Sequence, residues 1–564
     1  MSYQIRRLIH KEIFKYADIP EKIFSWHMCL ERNTNNRFTF EFPIKTNAYN
    51  FENHIHKVIN KKWDIPLKNF KLKKKDNNNI ASIDIERDFF IKAILQSNSF
   101  KIVAPSLPYN TKKIVVEFSS PNIAKPFHVG HLRSTIIGNF ISNINKFFNN
   151  NIIKLNYLGD WGTNIGLIIL GMNLVNKPDE IIKNNPIEEL YNAYVYANKL
   201  AETDDQILDQ AREIFRQLEN GNDGYFNQWQ HFKEYTVNEL EKTYNRIGVE
   251  FSEYNWESSY NRTNIDPVLK LMADSKILTT DSKGRKVVSL NDRLIPIMKS
   301  DGSTLYIVRD VAAAIERANK YSFDDMYYVV DSSQHNHFTS LKSIFTKLNM
   351  SLANNIHHIQ FGKIIGMSTR KGTAVFLNNF LDEAYEVVKK KQQLLNTTKA
   401  NPDSNDQSTD ILGISAIIIN DLKQRRLRDY NFDWDTSLDM KGETGIKLQY
   451  THCRLANLKD NCCEVTVPDK CDPSLLKEPI VDELIRIIAQ FDEAVIASYQ
   501  TLEACYLVKY LFNLSHAVNR TLEQLRVKDQ PKDIASQRLL LYEVSKNILN
   551  TGMKLLGLRP LNKM

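Results

Sequence analysis

One short loop carries the residues best suited to phosphate chemistry. In the sequence SSPNIAKPFHVGHLRS (119–134), two histidines lie three positions apart and Gly130 lies between them. His128 and His131 stand where a helix is expected to begin, and the free N–H groups and dipole of a helix start favour anions. Imidazole donors there could bind a triphosphate and stabilise the charge that develops as pyrophosphate leaves. Gly130 allows a ligand to approach the backbone closely.

Other interpretations of the histidines stay open. A single histidine at this position can simply cap the helix. The pair could also bind zinc, but no cysteine or aspartate stands nearby at the usual ligand spacing, so we predict no metal site. The one cluster of cysteines matches no common zinc pattern either, and we predict free thiols for Cys453, Cys462, Cys463 and Cys471.

The elements around the loop predict an open α/β sheet. The segment KIVVEFSS (113–120) suits a buried parallel strand, because Ile114, Val115 and Val116 form a continuous apolar run. A loop with proline and glycine follows, and then a helix from about His131. Strand, glycine-bearing loop and helix in this order open a doubly wound domain.

The middle of the chain adds further elements. Residues 175–295 have helical periodicity and a polar composition, which indicates an insertion. Strand-like runs then return at TLYIVRD (304–310) and MYYVVDSS (326–333), again with α/β character.

The two ends of the chain differ from its centre. Residues 1–105 mix helical and strand patterns. A helix from about residue 383 leads into the polar stretch 396–410, which is typical of a linker. Residues 411–564 are helical almost throughout, as in a separate helix bundle.

Composition excludes several classes of protein. At about 150 residues per domain, 564 residues suggest three or four domains, and 42% hydrophobic with 25% charged residues is typical of a globular protein. No stretch approaches the ~18–20 apolar residues of a membrane helix. The formal charge is +8, and the first hundred residues hold 18 Lys and Arg against 11 Asp and Glu. This asymmetry favours a phosphate-rich partner, although a solvated lysine face would also explain it.

Several motifs together resemble one family. HVGH is similar to the HIGH signature of class I aminoacyl-tRNA synthetases, and its surroundings are very similar to arginyl-tRNA synthetases, fungal-type members above all. Five further blocks follow in the family's order, so that the resemblance covers about residues 110–564. These blocks are NYLGDWGTNIGLII (156–169), SDGSTLYIVRDVAAAIER (300–317), YYVVDSSQHNHF (327–338), FGKIIGMSTRKGT (361–373) and MKLLGL (553–558).

The resemblance implies a second phosphate-binding element. GMSTRKG (366–372) resembles a degenerate form of the family's KMSKS loop, which holds the triphosphate of ATP; alone, such a segment would more often be a basic surface loop. Arg370 replaces the usual second lysine, and Lys125 stands where the family has a compensating lysine. The implied catalytic residues are His128, His131, Lys125, Ser368, Arg370 and Lys371. The implied ATP-binding residues are His128, Gly130, His131, Met367 and Ser368.

The resemblance also implies an arginine site. A guanidinium is best bound by carboxylates through bidentate, charge-assisted hydrogen bonds. Tyr306, Asp310 and Gln334 match the family's side-chain pocket, with Asn122 near the α-amino and carboxylate end. Glu257, where the local match is weaker, corresponds to a further acidic contact, and Glu117 is a candidate for the same site. Asp160 and Trp161 are expected to be scaffold or ATP-side residues.

The expected fold class is multidomain α/β. The resemblance implies four segments: an α+β N-terminal additional domain that binds tRNA (1–105), a Rossmann-like doubly wound catalytic domain with a helical insertion (106–395), a linker (396–410) and an all-helical anticodon-binding bundle (411–564).

The implied activity is that of an arginine–tRNA ligase. Arginine attacks ATP, with Mg²⁺ assisting, to give arginyl-adenylate, and the terminal ribose of tRNA for arginine then accepts the arginyl group; the first step is expected to require bound tRNA. A synthetase of other specificity and a non-catalytic tRNA-binding paralogue are the alternatives. A monomer without membrane contact is expected.

The compartment depends on the first twenty residues. Their basic and apolar residues alternate at helical spacing, as in a mitochondrial targeting helix or an ordinary amphipathic helix. Acidic Glu12 and Asp18 are unusual in a targeting helix. We expect the mitochondrial matrix, with the cytoplasm as the alternative.

Overall fold

The computed structural model describes most of the chain. The described residues are 5, 7, 29–32, 38–44, 67–75, 78–107, 110–123, 127, 129–219, 223–290, 293–300, 302–366, 376–394 and 407–564. Several predicted features lie outside them. These are most of the segment 1–20, residues 396–406 of the linker, and the site residues Lys125, His128, Met367, Ser368, Arg370 and Lys371.

The chain forms two compact units. One comprises Met1–Tyr109, Val388–Lys423 and Thr436–Met564, and the other comprises Asn110–Val387 and Gln424–Asp435. Within the described ranges, no helix combines the length and apolar character needed to cross a bilayer.

The first unit opens with an antiparallel sheet in the order β1-β2-β4-β3 and a helix, α1. The Phe90 ring of α1 lies 4.4 Å from the ring of Phe38 and 5.9 Å from that of Phe40. This is the α+β arrangement expected for the N-terminal part. The elements are β1 (Cys29–Arg32), β2 (Phe38–Ile44), β3 (Leu67–Lys75), β4 (Asn78–Ile85) and α1 (Arg87–Asn98).

The second unit contains ten strands and eleven helices within the described residues. Its strands are β5 (Lys113–Glu117), β6 (Asn151–Leu158), β7 (Glu253–Trp256), β8 (Leu278–Thr280), β9 (Lys286–Leu290), β10 (Arg293–Met298), β11 (Asp325–Asp331), β12 (Ile356–Phe361), β13 (Ile364–Ile365) and β14 (Tyr430–Asn431). Its helices are α2 (Val129–Phe147), α3 (Thr163–Val175), α4 (Asp179–Asn184), α5 (Pro186–Ala201), α6 (Asp205–Glu219), α7 (Asp223–Arg246), α8 (Arg262–Asp274), α9 (Tyr306–Tyr321), α10 (His335–Lys347), α11 (Leu352–Asn355) and α12 (Leu377–Gln393), the last of which continues into the first unit.

Five of these strands form the central parallel sheet, in the order β12-β11-β5-β6-β7. The predicted strand is confirmed as β5 at its centre, and Ile114, Val115 and Val116 are at most 1% exposed. From β5 the chain proceeds outward through β6 and β7, and later on the other side through β11 and β12. The order therefore reverses between β5 and β11. In doubly wound sheets, ligands bind at the carboxyl ends of the strands beside such a reversal.

Two predictions for the middle of the chain are wrong in part. The run TLYIVRD (304–310) is not a strand, because helix α9 begins at Tyr306. Its apolar residues Ile307, Val308 and Val311 are buried at helical spacing, and alanines that favour helix follow them. The segment 175–295 is mainly helical to Arg246, and one further helix, α8 (Arg262–Asp274), follows. It also supplies β7 to the central sheet and the antiparallel sheet β10-β9-β8.

The helical C-terminal prediction is confirmed, apart from the short strand β14. The helix α13 begins at Ser408, so the linker ends before residue 410. Buried Gln449 donates from Nε2 to Ser415 Oγ at 2.9 Å and thereby joins α15 to α13. The helices are α13 (Ser408–Leu422), α14 (Trp434–Ser437), α15 (Gly445–Asn461), α16 (Pro479–Ala489), α17 (Phe491–Thr501), α18 (Cys505–Gln524) and α19 (Lys532–Leu555).

Candidate active site

Strand β5 ends in a strained turn. Ser119 and Ser120 both have positive φ, 72° and 46°, which costs side-chain-bearing residues of the order of 1–3 kcal/mol each. Buried polar groups hold this conformation. The Ser119 N–H donates to Ser134 Oγ at 2.9 Å and the Ser120 N–H to Asn156 Oδ1 at 3.1 Å, and Ser119 Oγ lies 2.7 Å from the Tyr244 hydroxyl. Such over-determined strain is typical of functional sites.

The turn presents Asn122 beside Gly159. The two residues form a parallel bridge, in which the Ile123 N–H donates to the Gly159 carbonyl at 2.9 Å. A Cβ atom on Gly159 would lie 1.9 Å from Asn122 Oδ1, so any other residue at this position would displace the Asn122 amide. The loop after β6 therefore fixes where the Asn122 amide stands.

A cavity of about 150 Å³ lies against this bridge. It brings together three of the predicted arginine-site residues: Asn122 after β5, Glu257 in the 3-10 turn Glu257–Ser259 after β7, and Tyr306 at the start of α9. The full lining is Asn122, Ile123, Gly159, Trp161, Asn164, Ile165, Ile168, Tyr194, Glu257 and Tyr306.

Negative charge is concentrated beside this cavity. Burial raises the pKa of Glu257 to about 7; Arg309, whose Nη1 lies 3.4 Å from Glu257 Oε1, opposes the rise, and the charges of Asp310 and Asp160 add to it. Asp310 stands one helical turn after Tyr306, and its Oδ2 lies 2.7 Å from His337 Nε2. A bound cation would relieve the repulsion between these carboxylates.

Glu117 has an internal partner. Its side chain is buried, and Arg317 Nη1 on α9 donates to its Oε2 at 2.5 Å. The Arg317 guanidinium also lies 4.6 Å from the centroid of the Tyr157 ring. Burial raises the pKa of Glu117, and Arg317 opposes that rise. Glu117 does not line the cavity of about 150 Å³, so its contact with arginine stays a prediction.

The other predicted residues within the described ranges, Gln334, Gly130 and His131, lie at the same edge of the sheet. Gln334 is exposed at the end of the 3-10 turn Ser332–Gln334, directly after β11. Gly130 and His131 occupy the first turn of α2, and the His131 ring stacks on Phe127 with 5.6 Å between centroids. The helix start expected near the histidines is therefore confirmed.

Sequence reasoning missed Arg133, which is 1% exposed. Its Nη2 donates to the Arg428 carbonyl at 3.0 Å and the Arg426 carbonyl at 3.2 Å, and its Nη1 donates to the Gly362 carbonyl. These bonds join helix α2 both to Gly362, which leads into GMSTRKG, and to the segment 426–428. The only signal in the sequence was an arginine on the apolar face of a helix.

A second, larger cavity of about 810 Å³ shares Trp161 and Tyr306 with the first. Several of the side chains around it are aromatic. The turn after β7 contributes Ser258, and cationic groups come from Lys233, Arg262, Lys299 and Arg309. Lys233 was also missed by sequence reasoning, since it lies on α7 in a segment that contains no recognised motif.

Comparisons with known proteins identify the family. A family model described as tRNA synthetases class I (R), catalytic domain, matches residues 91–434, and a DALR anticodon binding domain model matches residues 448–564. The chain belongs to the class I arginyl-tRNA synthetases. The predicted fold class, the resemblance and the activity of an arginine–tRNA ligase are thereby confirmed.

Named relatives agree with this assignment. The synthetase is 38% identical over 493 residues to a probable mitochondrial arginine–tRNA ligase of Mus musculus, covering 85% of this chain and 84% of the relative. It is also 38% identical over 467 residues to the cytoplasmic enzyme of Saccharomyces cerevisiae, covering 80% and 77%. The solved arginyl-tRNA synthetase of Plasmodium falciparum superposes with a TM-score of 0.79 at 26% identity, covering 100% of this chain and 98% of that one. Relatives of both compartments are thus similar.

Proposed function

We propose that the cavity of about 150 Å³ binds the arginine substrate. The carrying observation is that a half-buried, partly paired carboxylate, Glu257, lines a cavity near Asp310 together with Asn122 and Tyr306. A guanidinium supplies positive charge in a planar fork that matches carboxylates. A lysine substrate would supply the charge but not the two parallel N–H donors of a guanidinium. A substrate with a neutral side chain would leave the charge of the acidic groups unneutralised. This explains specificity for arginine.

Activation would take place at the start of α2. Gly130 and His131 lie in the first turn of this helix, where N–H groups and the helix dipole favour phosphate. We assign His128, Lys125 and the loop residues Met367, Ser368, Arg370 and Lys371 to the same triphosphate by their place in the family motifs. The arginine carboxylate attacks the α-phosphorus of ATP and pyrophosphate leaves. The protein contributes positioning and charge stabilisation.

Magnesium would enter with the nucleotide. Among the described residues, no three His, Cys, Asp or Glu side chains are grouped closely enough to hold a metal ion by themselves. Mg²⁺ characteristically keeps several waters and binds phosphate oxygens with few protein ligands. We propose that the nucleotide enters as MgATP, and we assign no protein residue to the ion.

The larger cavity is assigned to the 3′ end of tRNA. Its volume of about 810 Å³ accommodates a nucleotide, and its aromatic side chains offer surfaces on which a base can stack. Because it shares Trp161 and Tyr306 with the arginine cavity, a terminal ribose bound there could reach the adenylate. By family habit, its 2′-hydroxyl makes the attack.

The C-terminal helices offer a second RNA surface. Tyr450 on α15 is 49% exposed, and the Arg454 guanidinium lies 5.7 Å from its ring centroid. Exposed His516 and Arg520 lie on α18, and Lys447 Nζ is 3.1 Å from His516 Nε2. An aromatic ring among basic groups can stack an unpaired base and hold its phosphate. We assign this surface to the anticodon arm, and the segment 1–105 to another part of the tRNA.

Arginine-dependent ATP–pyrophosphate exchange, run with and without tRNA for arginine, tests this function. We expect exchange only when the tRNA is present. Exchange with another amino acid would contradict the specificity. No exchange in either condition, with tRNA still bound, would indicate the non-catalytic paralogue instead.

We further propose a monomer in the mitochondrial matrix. The basic, apolar first twenty residues and the mitochondrial relatives support this compartment. Import of the radiolabelled chain into isolated mitochondria, with protection from added protease, is the expected result; a chain that stays outside would indicate the cytoplasm. Light scattering coupled to gel filtration should give a mass near 65.5 kDa, and twice that mass would contradict the monomer.

A further inference from the structure

A buried ionic cluster lies directly behind the arginine cavity. Asp160 is 0% exposed and Lys233 is 9% exposed, and Lys233 Nζ lies 3.0 Å from Asp160 Oδ2. Ser258 donates to the same carboxylate twice, from N–H to Oδ1 at 2.8 Å and from Oγ to Oδ2 at 2.6 Å. Lys233 Nζ also donates to Ser258 Oγ at 3.0 Å and lies 4.3 Å from the centroid of the Trp256 ring.

The cluster holds Glu257 from both sides along the chain. Trp256 precedes Glu257 and lies against Lys233, while Ser258 follows it and is bound by Asp160. Glu257 is thus flanked by two residues that contact buried charges, Trp256 through its ring and Ser258 through its N–H and hydroxyl. Desolvating an ion pair usually cancels most of its attraction, so a cluster of this kind is weak evidence for stability. Its placement around one recognition residue indicates another role.

Asp160 also connects the two ends of the arginine cavity. The residue before it, Gly159, packs on the Asn122 amide, and the residue after it, Trp161, lines the cavity. Through Ser258, the same aspartate reaches the turn that carries Glu257. One side chain therefore sets the spacing between the Asn122 end and the carboxylate end of the site.

We propose that Asp160 and Lys233 are positioning residues that hold Glu257 at the distance and orientation required to bind a guanidinium. The inference deepens the proposed function, since it rests on the arginine site assigned above. Neither side chain lines the arginine cavity; Lys233 also lines the larger cavity assigned to the 3′ end of tRNA, so its variant is compared at saturating tRNA. The cluster acts on arginine binding and leaves the ATP-binding helix start unchanged.

The charge of Asp160 provides a readout that a purely structural role would not move. The charged groups facing Glu257 are Arg309 and Asp310 from α9 and Asp160 from the loop after β6, with Lys233 behind Asp160. Asp160 contributes to the raised pKa of Glu257. Removing its charge should therefore move the acidic limb of kcat/KM for arginine to lower pH.

The test compares Asp160→Asn, Lys233→Met and Ser258→Ala in tRNA-dependent ATP–pyrophosphate exchange. We expect KM for arginine to rise roughly 10- to 100-fold in Asp160→Asn, the range expected when a charge-assisted hydrogen bond is lost, with KM for ATP unchanged. Lys233→Met should also raise KM for arginine but should not move the acidic limb to lower pH. Ser258→Ala, the mildest change, should give a smaller rise and covers the case that Asp160→Asn fails to fold.

Asp325→Asn is the matched control. Asp325 is also a buried aspartate, 8% exposed, that is bonded to a lysine. Its carboxylate lies 2.6 Å from Lys112 Nζ and 2.8 Å from His357 Nε2. It lies, however, at the start of β11, at the amino edge of the sheet. It should lose stability without a change in KM for arginine. An unchanged KM in folded Asp160→Asn or Ser258→Ala would overturn the inference, as would an equal rise in the control. If Glu257→Gln also leaves KM unchanged, the arginine site itself is misassigned.

Discussion

Two glutamates that each pair with an arginine of helix α9 differ in whether their carboxylates can accept a further hydrogen bond. Arg309 and Arg317 lie about two turns apart on α9, so they face the same side of it. Arg317 binds Glu117 at 2.5 Å, and the two side chains are 2% and 7% exposed. Arg309 lies 3.4 Å from Glu257, at 14% and 13% exposure, beside a cavity.

The difference separates a structural pair from a recognition pair. Glu117 is bound at 2.5 Å by Arg317 and does not line the cavity of about 150 Å³. Glu257 has a longer contact with Arg309 and lines the arginine cavity, so it keeps acceptor capacity for a second guanidinium. Helix α9 thus pairs closely with Glu117 through Arg317 and more loosely with Glu257 through Arg309.

Glu117→Gln should have the largest effect of these variants, and that effect should be a loss of folding stability. Removing one partner of a buried ion pair leaves the other charge uncompensated, which costs about 3–5 kcal/mol. We expect a clear fall in the unfolding midpoint, measured by thermal and urea denaturation, and a smaller change in KM for arginine than Glu257→Gln causes. A stable variant with a large rise in KM would instead place Glu117 in direct contact with arginine.

Glu257→Gln should act on arginine and not on stability. Losing a charge-assisted hydrogen bond of about 1.5–3 kcal/mol predicts a fall in kcat/KM for arginine of roughly 10- to 100-fold. Because burial disfavours the ionised carboxylate, the melting temperature should not fall. Glu253→Gln, at the opposite end of β7, where Lys320 is its partner, is the matched control. Equal kinetics for both variants would remove the distinction between the two pairs.

The pH profile should reveal the same carboxylate. Guanidinium binding requires ionised Glu257, whose pKa is raised to about 7, so kcat/KM for arginine should be lost as pH falls through that value. Below it, we expect a decrease of about tenfold per pH unit. Measurements from pH 5.5 to 9 at saturating ATP and tRNA test this. A profile flat down to pH 5.5 would show that the pKa of Glu257 is not raised.

Arg309→Met should have the smallest effect. Its contact with Glu257 resembles a weak ion pair, worth up to about 1 kcal/mol, so kcat/KM should change only a few-fold at pH 8. Since Arg309 lowers the pKa of Glu257, its loss should move the acidic limb to higher pH. A loss of activity as large as that of Glu257→Gln would mean that Arg309 itself contacts a substrate.

The sequence predicted the parts of the site that local patterns encode. The apolar run of β5, its loop and the start of α2 follow from residue types and spacing, and the family motifs indicated Asn122, Glu257 and Tyr306. Helix α9 was misread because Tyr306, Ile307 and Val308 favour strands, whereas packing on the sheet selects a helix.

The sequence could not reveal the parts that depend on distant contacts. Strand β7 has only four half-buried residues, so it has neither the alternation nor the apolar run of a recognisable strand. Lys233 meets Asp160 only because α7 folds back onto the end of β6 and β7. Such pairings arise from tertiary structure, and no local spacing signals them.

The most direct test compares arginine with citrulline, whose neutral ureido group has nearly the shape of a guanidinium. In tRNA-dependent ATP–pyrophosphate exchange, the wild-type synthetase should strongly prefer arginine. Glu257→Gln should lose most of that preference, because the pocket no longer has this carboxylate to pair with the guanidinium charge. If Glu257→Gln keeps the full preference for arginine, the assignment of Glu257 to guanidinium recognition is wrong.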